Sequence, residues 1–165
     1  MPYGRRLLQK RVAPNSNSAL KVVVDEYSTE KAILVFPAGL VSRKQKGKIR
    51  DLEWKKSFVS KALQYGSPII PTYIHGQNSK FFYNFAMWRK RLGIKANIEM
   101  FFLPDEMFSQ TNKDIHIQFG PPISHQLLDE SKTPKQWAQV IKTYIYSTEF
   151  GKGIPFDEFI KHHRL

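Results

Sequence analysis

The chain has 165 residues, 41% of them apolar and 13% aromatic, which are values for a globular domain with a real core and exclude a disordered tract. It contains no cysteine, which excludes disulfides and thiolate metal sites and fits a reducing compartment without proving one. A formal charge of +12 points to an anionic partner such as nucleic acid, anionic lipid or a phosphate-bearing cofactor. No apolar run approaches the ~20 residues that span a bilayer, and the basic N-terminus has no apolar centre of a signal peptide.

There is no internal repeat and no low-complexity tract. Residues 1–17 are basic and carry Pro2, Gly4 and Pro14, so they read as an extended arm. Ser18 sits where it would cap a helix over 18–27, with Leu20, Val23, Val24 and Tyr27 at helical spacing. A strand is predicted over 32–36. Asp51 reads as the N-cap of a helix whose apolar face is Trp54, Phe58, Val59, Ala62 and Leu63, stopped by Gly66. Residues 68–74 form a near-continuous apolar run suited to a parallel strand buried on both faces. A helix over 81–92 ends at Gly93, strands follow over 97–103 and 115–119, and Pro134 opens a last helix reaching Tyr146. This alternation predicts an α/β fold, a largely parallel sheet flanked by helices, in a domain over 18–147 with a C-terminal tail over 148–165.

The most informative stretch is Ala32-Ile33-Leu34-Val35-Phe36-Pro37-Ala38-Gly39-Leu40-Val41-Ser42-Arg43-Lys44, where an apolar run breaks at Pro37, turns through Gly39 and opens onto a hydroxyl and two cations. Arg43, Lys44, Lys46, Lys48 and Arg50 gather around one strand end, which is costly without an anion nearby. The plain alternative is a basic connection facing water. Phe36-Pro37-Ala38-Gly39-Leu40-Val41-Ser42-Arg43 resembles the Phe-Pro-Glu-Gly-Thr-Arg-Ser block of the glycerolipid and lysophospholipid acyltransferases. It is closer still to the hemolysin-related bacterial branch that includes lyso-ornithine-lipid acyltransferases. The resemblance continues through Asp51-Leu52-Glu53-Trp54-Lys55-Lys56-Ser57-Phe58, Ile70-Pro71-Thr72-Tyr73-Ile74-His75-Gly76-Gln77-Asn78-Ser79, Phe82-Tyr83-Asn84 and Phe119-Gly120-Pro121-Pro122-Ile123. It covers residues 15–147.

The resemblance implies transfer of a fatty acyl group from acyl carrier protein or coenzyme A to the hydroxyl of a lyso-lipid, in membrane lipid biosynthesis, with no resident cofactor or metal. Such transfer needs a base for the hydroxyl proton and a group that orients the base. The resembled enzymes use a histidine followed five residues later by an aspartate, ahead of the block around Phe36. None of the five histidines here fits. Lys80 lies five residues after His75 and Pro121 five after His116, while His162 and His163 are too near the end. His125 has Glu130 at that distance and Asp129 one nearer, but beyond the last predicted strand. The resemblance therefore implies a C-terminal part of an acyltransferase domain, incomplete and inactive as it stands. A degenerate relative serving as partner subunit is the other reading. A sheet so shortened would keep an open edge and an uncovered apolar face.

Ala38 and Val41 stand where the glycerolipid enzymes carry glutamate and arginine, so the resemblance argues against glycerol 3-phosphate as acceptor and suits an amino-acid head group. Phe36, Pro37, Gly39, Ser42 and Arg43 would form the acceptor loop, with Arg43 as a two-point grip on phosphate or carboxylate. Lys44, Lys46 and Lys48 would attract donor phosphates or the lipid surface. Asn78 and Ser79, after the strand ending at Ile74, are candidates for pocket lining, against the plain reading of a self-bonded turn. The helix over 81–92 would lie on an anionic membrane, sinking Phe81, Phe82, Phe85 and Trp88 and setting Arg89, Lys90 and Arg91 against lipid phosphates; a core helix with a basic end is the alternative. Its expected place is the cytoplasmic side, peripheral at the inner face of the cell membrane. The rival function is a non-enzymatic basic module for anionic membrane or nucleic acid, although no nucleic-acid motif is present.

Overall fold

The computed structural model describes residues 32–45 and 47–165. The chain divides into two units, Met1–Val35 and Phe36–Leu165. Of the first, only 32–35 are described, and they carry no regular secondary structure. The predicted arm over 1–17 and helix over 18–27 lie outside the described residues. The strand expected over 32–36 is not formed, because among the described residues no strand pairs with it.

The basic run after the Phe36 turn is a hairpin and not a strand-to-helix loop. Strand β1 (Arg43–Gln45) pairs antiparallel with β2 (Lys48–Arg50), register Arg43↔Arg50 and Gln45↔Lys48. Gly47, at φ +81°, supplies a backbone conformation that side-chain-bearing residues rarely adopt. Helix α1 (Ser57–Tyr65) starts later than predicted, since the Asp51 carboxylate is engaged elsewhere and does not cap it. It stops where expected, at Gly66 with φ +65°.

Strand β3 (Thr72–His75) pairs with β4 (His116–Phe119), but antiparallel, register Thr72↔Phe119 to His75↔His116. An apolar run carries no information on strand direction, so the predicted parallel sheet is replaced by two antiparallel pairs among the described residues. Nor is β3 buried on both faces. Tyr73 packs on Tyr146 and Gln118 donates to the Phe150 carbonyl, whereas Ile74, Ile117 and Phe119 on the opposite face are exposed.

Helix α2 (Lys80–Arg91) follows, with Gly93 at φ +73° beyond it. Residues 97–103 are not a strand. They form a 3₁₀ turn (Ile98–Phe102) running into α3 (Leu103–Phe108), whose first turn accommodates Pro104. Helix α4 (Pro134–Ile145) begins in a reciprocal cap, with Thr133 Oγ1 accepting from the Gln136 amide while the Gln136 side chain accepts from the Thr133 amide. It is not the last helix. Residues 148–165 continue as α5 (Thr148–Gly151) and α6 (Phe156–His163).

The core lies between α1, α4 and α6: Trp54, Phe58 and Val59 meet Trp137, Ala138, Ile141 and Tyr144, closed by Phe150, Phe156 and Phe159. The Tyr144 ring lies 5.2–5.3 Å from the rings of Phe150, Phe156 and Phe159, and its hydroxyl donates to the Ile154 carbonyl at 2.7 Å. Burial pushes that phenol above its ordinary range.

Gly120 is fixed by packing: a Cβ there would overlap the Phe150 ring and lie 3.1 Å from Pro71 Cγ. Gly120→Ala is therefore expected to cost about 1–3 kcal/mol, seen as a lower urea midpoint at unchanged slope. The Glu149 carboxyl is held down to about 2, first by its own backbone amide and then by His163, whose Nε2 lies 3.0 Å from Oε1. A depressed carboxylate stabilises the fold fully above its ordinary 4.5 and loses that contribution as pH falls toward about 2. The melting-temperature advantage of the wild type over Glu149→Gln should shrink across that interval.

Candidate functional site

The Phe36 block forms a turn, with the Gly39 amide donating to the Phe36 carbonyl at 3.0 Å. Pro37 sets the first central position and Ala38 stays out of positive φ, which fits a type I turn ending in glycine. The Lys55 amide donates to the Pro37 carbonyl at 3.0 Å and ties the turn to the start of α1. Phe36, Gly39 and Leu40 are exposed, while Ala38 points into the core. The Lys55 ammonium stands 3.0 Å from where a Gly39 Cβ would sit, so a cation lies over the turn. The sequence alone did not single out Lys55. Its spacing from Gly39 is a property of the fold.

Behind the turn, Asp51 organises the loop. Its carboxylate accepts from Ser42 Oγ at 2.6 Å and from Trp54 Nε1 at 3.0 Å, and its amide donates to the Tyr146 hydroxyl at 3.3 Å. Lys142 Nζ donates to the carbonyls of Asp51 and Leu52, each at 2.7 Å. Burial, followed by the negative Asp51, pushes the Tyr146 phenol up to about 12. Desolvation lowers the Lys142 ammonium. Gln45, Arg50, Asp51, Lys142, Tyr146 and His163 line a cleft of about 380 Å³. None of the eight residues expected to bind substrate lines it; Ser42 reaches it only through Asp51.

Arg43 is committed in a way the sequence did not reveal. Its NH2 donates to Glu99 Oε1 at 2.7 Å and its NH1 to the Val41 and Ser42 carbonyls at 3.0 and 3.4 Å. Glu99, 0% exposed, also faces Arg89, with Nε 2.6 Å from Oε2. A fully buried carboxylate requires such partners, and the Arg43 guanidinium, expected to grip a ligand at two points, is here engaged with Glu99. Exposed Lys44, Lys48, Arg50 and Lys55 carry the outward positive charge of the loop.

The second candidate segment arrives at the same place by another route. Ser79 caps α2, its Oγ accepting from the Phe82 amide at 3.1 Å, while its own amide and hydroxyl donate to the buried Glu106 carboxylate. The Asn78 amide donates to the Tyr83 hydroxyl at 3.2 Å. The Arg43 guanidinium lies 5.8 Å from the centre of the Phe82 ring, so Arg43 and Ser79 both contact Phe82, in the first turn of α2. They do so without a shared parallel sheet edge. The α2 face also differs from expectation: Phe82 is buried and Arg89 is taken by Glu99, whereas Phe81 and Trp88 are exposed.

Among the described residues no carboxylate hydrogen-bonds His125; Asp129 accepts from Ser131 instead. No group of histidines and carboxylates among the described residues is arranged to hold a metal ion. No helix of the described residues is long and apolar enough to cross a membrane. The arrangement offers a preformed turn and a cationic rim for binding an anion. Glu99→Ala should destabilise the fold by about 3–5 kcal/mol by stranding two guanidinium groups, measured by urea denaturation. Glu99→Gln should cost less.

The family model described as "Acyltransferase" matches residues 8–151. A lyso-glycine lipid O-acyltransferase of Bacteroides thetaiotaomicron is 48% identical over 126 residues, 76% of this chain and 46% of that protein. One of the same name from Phocaeicola vulgatus is 46% identical over 126 residues, 76% of this chain and 45% of that protein. The chain thus spans about half the length of these relatives. No solved structure matches it.

Proposed function

Since the chain belongs to the acyltransferase family, we propose that it is the acceptor-binding part of a lyso-lipid O-acyltransferase. In the full reaction the acceptor hydroxyl oxygen forms an ester with the acyl carbonyl of a thioester. The carbon–sulfur bond breaks, and the thiol of acyl carrier protein or coenzyme A leaves with the proton. Both relatives are named for a lyso-glycine lipid, and a glycine acylated on its nitrogen keeps a free carboxylate. The altered turn, with Ala38 and Val41, suits such a head group.

The observation that carries the reading is the cation over the turn. Lys55 stands beside Gly39, in the turn that carries exposed Phe36, and Lys44 is exposed in β1. We assign the head-group carboxylate to Lys44 and Lys55 and the start of the acyl chain to Phe36 and Pro37. Ser42, Arg43 and Ser79 hold the turn and α2 in place through Asp51, Glu99 and Glu106; Asn78 lies beside Ser79 at the same junction. Lys48 and Arg50 face the phosphates of the donor. With no histidine in the required pairing, this chain binds without transferring, and its setting is the inner face of the cell membrane.

The test is a titration with lyso-glycine lipid in detergent micelles and with a short DNA duplex, each at two salt concentrations. Saturable lipid binding, weakened about tenfold by Lys44→Ala together with Lys55→Ala (~1.4 kcal/mol), is the expected result. Salt-steep duplex binding with indifference to the lipid would instead establish a basic nucleic-acid module.

A further inference from the structure

We propose that the exposed apolar face formed by α2, the 3₁₀ turn and α3 is a docking surface for an anionic lipid bilayer. Phe81, Phe85, Trp88 and Leu92 recur at i, i+4, i+7 and i+11, so they form one stripe along α2 and its C-cap. The buried residues of the helix, Phe82, Tyr83 and Ala86, lie on a different side from the stripe. Phe81 and Phe85 each lie 5.3 Å from the Phe102 ring, which joins the stripe to the 3₁₀ turn. Phe101, Pro104 and Phe108 follow at one-turn intervals along the continuing helical run. Trp88 is 62% exposed, Phe101 82% and Phe108 68%. Side chains of this size and exposure, gathered on three adjoining elements, mark an interaction face.

Charge identifies the occupant. Lys80 and Arg91 lie roughly 80–100° around α2 from the stripe, where long cationic side chains reach past the apolar surface to head-group phosphates. Lys95 is exposed just beyond the helix. Of the acidic residues here, Glu99 and Glu106 are buried and paired, and Asp105 is exposed. An aromatic and aliphatic face with a cationic flank is the chemistry of the bilayer interface. The docking surface deepens the acyltransferase reading, since a lyso-lipid acceptor resides in such a bilayer.

The test uses the full chain and phosphatidylcholine vesicles with and without phosphatidylglycerol, free of lyso-lipid. Trp54 and Trp137 are buried, so a blue shift of tryptophan emission on vesicle addition reports Trp88. Co-sedimentation and a blue shift with anionic vesicles are expected. Trp88→Ser with Phe101→Ser should lower partitioning at least about tenfold, circular dichroism remaining unchanged. Arg91→Gln with Lys95→Gln should weaken binding several-fold and flatten its salt dependence. Partitioning unaffected by the double serine variant would overturn the proposal. So would a dimer that this variant splits while vesicle binding persists, because the face would then join two copies of the chain. Lyso-glycine lipid binding in micelles is scored separately. Its survival without vesicle docking sinks this proposal alone, and its loss with docking intact sinks only the acceptor reading.

Discussion

One buried carboxylate holds the candidate site together. Glu99 contacts two guanidinium groups, Arg43 from the loop hairpin and Arg89 from α2, and thereby links three segments distant in sequence. Glu99 is fully out of water and the two arginines nearly so, and the carboxylate relies on them to offset its desolvation. The turn at Gly39 can therefore be exposed and still be rigidly placed.

Around that clamp, polar groups are satisfied in a chain of hydrogen bonds. Ser42 and Trp54 share the Asp51 carboxylate, Lys142 takes two loop carbonyls, and Gln139 donates to the Trp54 carbonyl at 2.8 Å. Helix α4 thus supports the loop from behind while its opposite face packs the aromatic core. The outward groups of the loop, Lys44, Lys48, Arg50 and Lys55, stay exposed to solvent.

Much of this was legible in the residues, and the failures have physical causes. Helices α1, α2 and α4 are written in apolar spacing and in Gly66, Gly93 and Pro134, and each forms near its expected place. Strands β3 and β4 were located, but direction was not, because pairing is decided by what lies alongside. Residues 97–103 alternate as a strand would; the burial of Glu99 between two arginines, together with Pro104 opening the next helix, makes them helical. Sequence placed Arg43 near the site and missed its partner, since a contact across 56 residues leaves no local pattern. The Phe36 block itself was readable, and the family match covers it.

The last two helices have a genetic consequence. Phe150, Phe156 and Phe159 surround Tyr144, so the final stretch of the chain supplies interior volume despite its position at the terminus. A premature stop codon there would act as an internal lesion, hollowing the aromatic nest and sending the polypeptide to proteolysis with the turn at Gly39 untouched.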